Sequence, residues 1–124
     1  MRLNAMLVVC LLSLAASASA NESQQVAKGA KLFKEHCQLC HGADGQKGDG
    51  FQTPIWGPQA KIGAKFEKVQ GLFEYMQFTM PFDDPKKLND PQKWDVVAYI
   101  LAKHGAIAVS DTLEPAKAAS IPIK

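Results

Sequence analysis

Apolar and small side chains recur at helical spacing near the start of the chain. At successive intervals of four, three, four and three positions, the run contains Val26, Ala30, Phe33, Cys37 and Cys40. Such intervals place the side chains on one face of an α-helix. Ser23 precedes the run and is a residue type that caps helix N-termini. The pattern predicts a helix over residues 24–40, with Ser23 as its N-cap and the two cysteines at its C-terminal end.

Two further helices are predicted in the second half of the chain. Residues 67–79 have an apolar side, and this run ends at Met80-Pro81 because proline cannot continue a helix. The last helix has Asp90 as its predicted N-cap, Pro91 at its first position and Gly105 as its stop signal. The apolar positions of the two helices are Val69, Leu72, Phe73 and Met76, and then Trp94, Val97, Ala98 and Leu101.

The segments between and after these helices lack a sustained apolar period. Residues 42–63 contain six glycines and two prolines, which indicates a long loop. Residues 106–124 include Pro115 and Pro122, and their last part, 111–124, is predicted to be an extended tail. No segment has the alternation typical of a strand, so the predicted fold class is all-α.

The first twenty residues have the pattern of a secretory signal. Arg2 provides a positive charge, an apolar run follows over residues 5–16, and Ala18-Ser19-Ala20 is a typical cleavage pattern. The apolar run is too short to cross a bilayer. We therefore expect export to the periplasm without stable membrane insertion. The predicted parts are a signal peptide (1–20), one domain (21–110) and the tail (111–124).

Cleavage after Ala20 changes the composition in two ways. It removes Cys10, so that Cys37 and Cys40 are the only thiols, and it removes Arg2, which leaves 13 lysines against 12 acidic residues. This nearly balanced charge gives no electrostatic footprint for nucleic acid. A chain of about 100 residues forms one small domain, for which a metal, a disulfide or a cofactor is a common source of additional stability.

The candidate chemistry is concentrated in "KEHCQLCHGADG", residues 34–45. Two cysteines two residues apart, followed by a histidine, are compatible with four kinds of site: a thioredoxin-like redox pair, half of a zinc site, a disulfide, or the attachment point of a c-type haem. A thioredoxin-like pair begins a helix after a strand, whereas this pair ends a predicted helix. A zinc site needs four ligands, and the only other histidines are His36 and His104.

Haem attachment accounts for the whole motif. Cys37 and Cys40, three positions apart, lie on one helix side and reach the two vinyl groups of one porphyrin, and His41 then binds the iron. The candidates for the second iron ligand are Met76, Met80, His36 and His104. Met80 is best placed, because it ends a helix at a Met-Pro step in a polar turn. Met76 is interpreted as a core residue, His36 as a surface residue, and His104 as a helix C-terminal residue that complements the dipole.

These motifs resemble those of the class I c-type cytochromes. "CQLCH" follows Gly29 and Phe33 at four-residue spacing, as in the N-terminal helix of that family, and "VVAYIL" at 96–101 looks like its C-terminal helix. The resemblance implies a class I cytochrome c fold, with three or more helices around one covalently attached haem c. It also implies that Gly29 meets Val96 and Tyr99 where the two helices cross.

Residues 72–107 are similar to the haem subunits of sulfite dehydrogenases and related sulfur-oxidising cytochromes. The similar features are a tyrosine, a Met-Pro-aromatic step, a Pro-x-x-Leu turn and a final helix, in this order. This resemblance implies Met80 as the distal iron ligand. "TPIWGP" at 53–58 is similar to a loop in which a proline carbonyl accepts the N–H of the iron-binding histidine. Pro54 is the residue implied for this role, with Pro58 as the alternative.

The resulting prediction is a monohaem electron carrier rather than an enzyme. The predicted partners are redox proteins, with a dehydrogenase as electron donor, a terminal oxidase as acceptor, or both. The predicted site consists of Cys37, Cys40 and Pro54 as haem-binding residues and of His41 and Met80 as iron ligands. One alternative is a haem subunit that acts only within a dehydrogenase complex. Another is a haem enzyme or gas sensor, which needs an open or labile sixth iron position.

Overall fold

The structure, a computed structural model, describes residues 21–124, and the predicted signal peptide lies outside the described residues. The described part of the chain contains helices and no β-strand, with one isolated bridge between Lys68 and Pro122. The predicted all-α class is confirmed. The helices are α1 (Gln24–His36), α2 (Gln38–His41), α3 (Ile62–Phe66), α4 (Val69–Thr79) and α5 (Asp90–His104), with 3₁₀ turns at Pro85–Lys87 and Pro115–Ser120.

The first predicted helix is divided in two at Cys37. Ser23 is its N-cap, as predicted, because the Ser23 hydroxyl accepts a hydrogen bond from the Val26 N–H at 3.1 Å. The backbone of Cys37 then leaves the helical conformation, with φ −124° and ψ −34°, so α1 ends at His36. The prediction of one continuous helix over 24–40 is therefore wrong. The single turn α2 that follows contains Cys40 and His41.

Helix α5 begins one residue away from the predicted capping position. Its N-cap is Asn89 rather than Asp90, because the Asn89 side chain accepts the Gln92 N–H and the Gln92 side chain accepts the Asn89 N–H, both at 2.9 Å. This reciprocal capping box satisfies two amides at the helix start. The predicted stop at Gly105 is confirmed, since this residue adopts a left-handed conformation with φ +84°.

Helices α1 and α5 cross in close contact at Gly29. A Cβ atom at this position would lie 1.9 Å from the Asp95 carbonyl oxygen and 2.8 Å from the Tyr99 Cβ. The expected meeting with Tyr99 is present, whereas the nearest backbone atom belongs to Asp95 and not to Val96. The Phe33 ring packs beside Tyr99, with 5.5 Å between ring centroids. Only glycine allows this approach of the two helix backbones.

The buried core lies between α1, α4 and α5. Phe73 of α4 stacks on Trp94 of α5, with ring centroids 3.9 Å apart and planes within 6°. Trp56, from the long loop, packs against Phe33 at 5.1 Å. Both tryptophans are therefore part of the aromatic core. No helix in the described part of the chain is both long and apolar enough to span a bilayer.

The long loop and the C-terminal segment contain structure that the sequence pattern does not predict. Helix α3 begins at the last two residues of the predicted loop and extends past it to Phe66; with five residues it is too short to display a helical period. The segment 111–124, predicted as an extended tail, includes a 3₁₀ turn and buries Leu113, Ala118 and Ile123. The proposed division of the chain at residue 110 stays a prediction.

Candidate functional site

Cys37, Cys40 and His41 lie within one backbone turn. The Cys37 carbonyl oxygen accepts the N–H groups of both Cys40, at 3.2 Å, and His41, at 3.0 Å. Both thiols are free; Cys37 is half-buried, and Cys40 is exposed. This turn holds two sulfur atoms and one imidazole in a fixed local arrangement, as a haem attachment site requires.

The acidity of Cys37 argues against a thioredoxin-like redox pair. Burial, and secondarily the charge of a Cys40 thiolate, raises the pKa of the Cys37 thiol from 9.0 to about 12. Reactive redox cysteines have a lowered pKa, because the thiolate is the nucleophile. The Cys37 thiol therefore stays protonated at neutral pH. The zinc alternative also lacks ligands, since residues 21–124 hold no group of three or more His, Cys, Asp or Glu side chains that could bind a metal ion.

The buried environment of His41 favours a neutral imidazole. Among the described residues, Nδ1 of His41 is buried and has no hydrogen-bond partner. A buried polar atom without a partner costs free energy, and burial also lowers the pKa of His41. The neutral imidazole favoured by this environment is the form that binds metals. The residues of this turn fit a covalently attached haem.

The predicted contact between Pro54 and His41 is not made in this structure. Nδ1 of His41 has no acceptor, and the segment after Pro54 is anchored elsewhere. The Ile55 N–H donates to the Gly45 carbonyl at 2.8 Å, and the Gln46 side-chain amide donates to the Trp56 carbonyl at 3.0 Å. These bonds fix the loop to residues 45–46 rather than to the imidazole. The role of Pro54, like that of its alternative Pro58, stays a prediction.

Two glycines bring the long loop directly onto Cys40. A Cβ at Gly50 would lie 2.9 Å from the Cys40 sulfur, and one at Gly48 would lie 2.3 Å from the Cys40 carbonyl oxygen. Any larger residue would have to displace the cysteine or the loop. The loop therefore packs tightly against Cys40, which explains why it has glycine at positions 48 and 50.

Met80 is the first residue after helix α4. Its N–H donates to the Met76 carbonyl at 3.1 Å, and its backbone is extended. Its side chain is partly buried and packs against the same core cluster as Cys37. Met76 is only 5% exposed and belongs to the core, as interpreted from the sequence. Met80 is therefore the methionine at the core margin, in a segment separate from the cysteine turn.

The other two histidines have different surroundings. His36 is exposed, and its Nε2 lies 3.8 Å from Glu35, which agrees with its interpretation as a surface residue. Nδ1 of His104 accepts the Gly57 N–H at 3.1 Å. This bond joins the end of α5 to the long loop, a contact that the helix pattern did not predict.

Lys93 is a buried residue near the site that the sequence analysis did not identify. Its side chain is 2% exposed, and its Nζ donates to the Gln77 carbonyl of α4 at 2.7 Å. Burial lowers the pKa of Lys93. A signal for its burial exists in the sequence, because Lys93, Val97 and Leu101 are spaced four apart on the apolar stripe of α5.

Comparisons with known proteins agree with the haem interpretation. Residues 24–100 match the family described as cytochrome c oxidase, cbb3-type, subunit III. The thiosulfate dehydrogenase of Stutzerimonas stutzeri is 32% identical over 80 residues, which cover 60% of this chain and 26% of that protein. This chain therefore spans about a quarter of the length of that curated relative.

Two solved structures are similar to the helical domain. The sulfane dehydrogenase SoxCD of Paracoccus pantotrophus has a TM-score of 0.69 at 21% identity, over 79% of this chain and 52% of that chain. This likeness concerns the fold alone. The thiosulfate dehydrogenase TsdBA of Marichromatium purpuratum has a TM-score of 0.50 at 38% identity, over 60% of this chain and 17% of that chain.

Proposed function

Because this chain belongs to the family of the subunit III of cbb3-type cytochrome c oxidase, a family of c-type cytochromes, we propose that it transfers single electrons between redox proteins through haem iron bound by His41 and Met80. Its cofactor is haem c with iron, and it is an electron carrier or the electron-transfer subunit of an oxidoreductase. The observation that supports the proposed site best is the single turn that holds Cys37, Cys40 and a neutral His41 imidazole together.

The cysteine turn has two tasks in this proposal. Cys37 and Cys40 would hold the cofactor covalently, through one thioether bond from each sulfur to a vinyl group of the porphyrin. Haem c supplies the one-electron chemistry, since its iron alternates between the ferric and ferrous states. The backbone bonds of Cys37 hold the His41 imidazole beside the attachment points, and burial keeps that imidazole neutral.

Met80 completes the proposed ligand set. A thioether is a soft ligand that favours the reduced metal, so it raises the reduction potential. His41 and Met80 would keep the same ligand set in both oxidation states, so little would rearrange when one electron is exchanged with a partner protein. No bond or proton has to be transferred in that exchange. We therefore expect a positive potential and reduction of the purified protein by ascorbate.

The location and the partners are part of the same proposal. The N-terminal signal pattern supports export to the periplasm. A haem subunit working within a dehydrogenase complex is the second candidate, favoured by the relatives named thiosulfate dehydrogenase and sulfane dehydrogenase. Purification from the native host under mild conditions distinguishes the two candidates: a free carrier elutes alone, and a subunit elutes with a larger redox protein.

Replacement of the proposed distal ligand tests the iron site. Met80→Ala, in the haem-loaded protein, is expected to abolish the weak red iron–sulfur absorption of the ferric form and to open the sixth position to carbon monoxide in the ferrous form. Met76→Ala is the matched control. It removes a methionine one helical turn earlier, and it is expected to lower the free energy of unfolding by about 2–5 kcal/mol while the red absorption is retained.

Two results would contradict this assignment. If the red absorption survives in Met80→Ala, Met80 does not bind the iron. If the unmodified ferrous protein already binds carbon monoxide readily, its sixth position is open or labile, and the haem enzyme or gas sensor is the better description.

A further inference from the structure

We propose that Lys93 is a positioning residue for Met80: its buried ammonium group holds the segment that presents the thioether to the iron. The inference rests on the proposed function, because it takes Met80 as the distal ligand. It concerns a residue of α5 that lies 13 positions after Met80 in the sequence.

The first contact of Lys93 lies just before Met80. Its Nζ donates to the Gln77 carbonyl at 2.7 Å, and the lysine side chain is only 2% exposed. Gln77 lies in the last turn of α4, where carbonyl groups have no partner within the helix. A cation at this end satisfies the carbonyl and complements the helix dipole. Lys93 therefore fixes the final turn of the helix from which Met80 extends.

The side chain of Gln77 makes a second bond to the same helix. Its amide donates to the Asp90 carboxylate at 2.9 Å, and Asp90 is the first residue of α5. Gln77 is thus bound to α5 through its backbone by Lys93 and through its side chain by Asp90. Because Gln77 precedes Met80 by three residues, these two bonds restrict where the Met80 segment begins.

The charges around Lys93 also extend to the segment after Met80. Asp90 and Asp84 favour the charged form of Lys93, while burial opposes it and lowers the pKa overall. Asp84 caps the 3₁₀ turn at Pro85–Lys87, since its side chain accepts the Lys86 N–H at 2.9 Å. Lys93 therefore contacts the chain before Met80, at Gln77, and the charge of Asp84 after Met80 favours its ammonium form.

Packing alone does not explain a lysine at this position. A buried amine carries a desolvation penalty, and an apolar side chain of similar length would fill the same space without it. Such a side chain would leave the Gln77 carbonyl without its donor. The specific contribution of Lys93 is therefore the charged hydrogen bond at the end of α4, and its effect is expected at the ligand segment.

Competition by free imidazole for the iron measures this effect. In the haem-loaded ferric protein, added imidazole must displace Met80 from the sixth position. Lys93→Met keeps the length of the side chain and removes the donor, so the Met80 segment is expected to detach more easily. We expect imidazole to bind about tenfold more tightly to this variant, equivalent to ~1.4 kcal/mol, and the red absorption to be weakened.

Lys86→Met is the matched control. Lys86 is an exposed lysine in the neighbouring 3₁₀ turn, and its replacement is expected to leave the imidazole affinity unchanged. Lys93→Gln keeps an uncharged donor and is expected to give a smaller increase than Lys93→Met. If Lys93→Met does not fold or acquire haem, the Lys93→Gln titration decides the question. Denaturant unfolding is recorded for each variant, because a purely structural role changes that measurement alone.

The outcomes separate this inference from the proposed function. If Lys93→Met, or its substitute Lys93→Gln, binds imidazole with unchanged affinity while Met80→Ala binds it more tightly, Met80 is the ligand and Lys93 does not position it. If Met80→Ala also leaves the affinity unchanged, the assignment of Met80 fails, and the role of Lys93 fails with it.

Discussion

At the scale of single residues, burial determines the chemical form of the side chains around the motif. It raises the pKa of the Cys37 thiol to about 12 and lowers the pKa of the His41 imidazole. Both shifts favour the uncharged form, because a low-polarity environment disfavours charge. At neutral pH the turn contains a neutral thiol and a neutral imidazole. These forms suit a thioether bond and a metal ligand, and they do not suit a thiolate-based redox centre.

Asp95 is a residue whose burial has a measurable pH dependence. Burial raises the pKa of this carboxyl from its ordinary value of 3.8, and the nearby charge of Lys28 only partly offsets the effect. The ionised carboxylate therefore destabilises the fold at neutral pH, and the penalty disappears as the pH falls through the raised pKa and below 3.8. We expect Asp95→Asn to raise the free energy of unfolding at pH 7 and to have a smaller effect at pH 3.

Denaturant unfolding of the haem-loaded protein at the two pH values checks this expectation. The exposed Asp49 supplies the control variant, Asp49→Asn, which is expected to change stability little at either pH. An equal effect of Asp95→Asn at pH 7 and pH 3 would mean that the raised pKa does not contribute to stability.

At the scale of elements, the crossing of α1 and α5 sets the position of the cysteine turn. α1 leads directly into Cys37, so the angle at which α1 packs on α5 also places the attachment site. The crossing depends on Gly29, which faces the Asp95 carbonyl, and on the aromatic contact of Phe33 with Tyr99. The capping box at Asn89 fixes the start of α5 next to the segment that contains Met80. Packing of the two helices therefore organises both sides of the proposed site.

Gly29→Ala is expected to destabilise the protein by about 2 kcal/mol or more. In an isolated helix this change would stabilise by about 1 kcal/mol. Here the new Cβ would lie 1.9 Å from the Asp95 carbonyl oxygen, so the helices must separate, at the cost typical of overpacking. Lys31→Ala, at an exposed position of the same helix, is the control. Thermal or denaturant unfolding that finds Gly29→Ala as stable as Lys31→Ala would contradict the close crossing.

At the scale of the whole molecule, the C-terminal segment connects regions that are distant in the sequence. Gln25 at the start of α1 exchanges two hydrogen bonds with the Leu113 backbone, at 2.7 and 3.4 Å. Further along, the Ile121 carbonyl accepts the Val69 N–H at 3.0 Å, and the Ile123 N–H donates to the Glu67 carbonyl at 2.9 Å. The segment therefore joins the beginning of α1 to the beginning of α4 and contributes to the stability of the domain.

Removal of a buried side chain from this segment measures that contribution. Leu113 is 5% exposed, and Leu113→Ala is expected to lower the free energy of unfolding by about 2–5 kcal/mol. The visible spectrum is expected to stay unchanged, because the residue lies outside the proposed iron site. The neighbouring exposed residue gives the control Thr112→Ala. A loss of less than about 0.5 kcal/mol would indicate that the segment packs only loosely.

Several features of the protein are determined by short stretches of its own sequence. The cap at Ser23, the end of α4 before Pro81 and the stop at Gly105 depend on interactions between residues a few positions apart. The CxxCH motif and the apolar periods of α4 and α5 are local in the same sense. Local interactions can be inferred without tertiary structure, so the all-α class and the attachment motif were predictable.

Other features depend on which distant residues meet after folding. No apolar period or capping residue in the sequence predicts the break at Cys37, the small helix α3 or the packing of the C-terminal segment. The hydrogen bond from Lys93 to Gln77 joins residues 16 positions apart. The buried Nδ1 of His41 is unpaired, because the loop at Pro54 is anchored to residues 45–46 and not to the imidazole. Sequence alone determined the local helices and the motif. Tertiary structure decided which buried polar groups are paired, because burial and pairing are properties of contacts between segments.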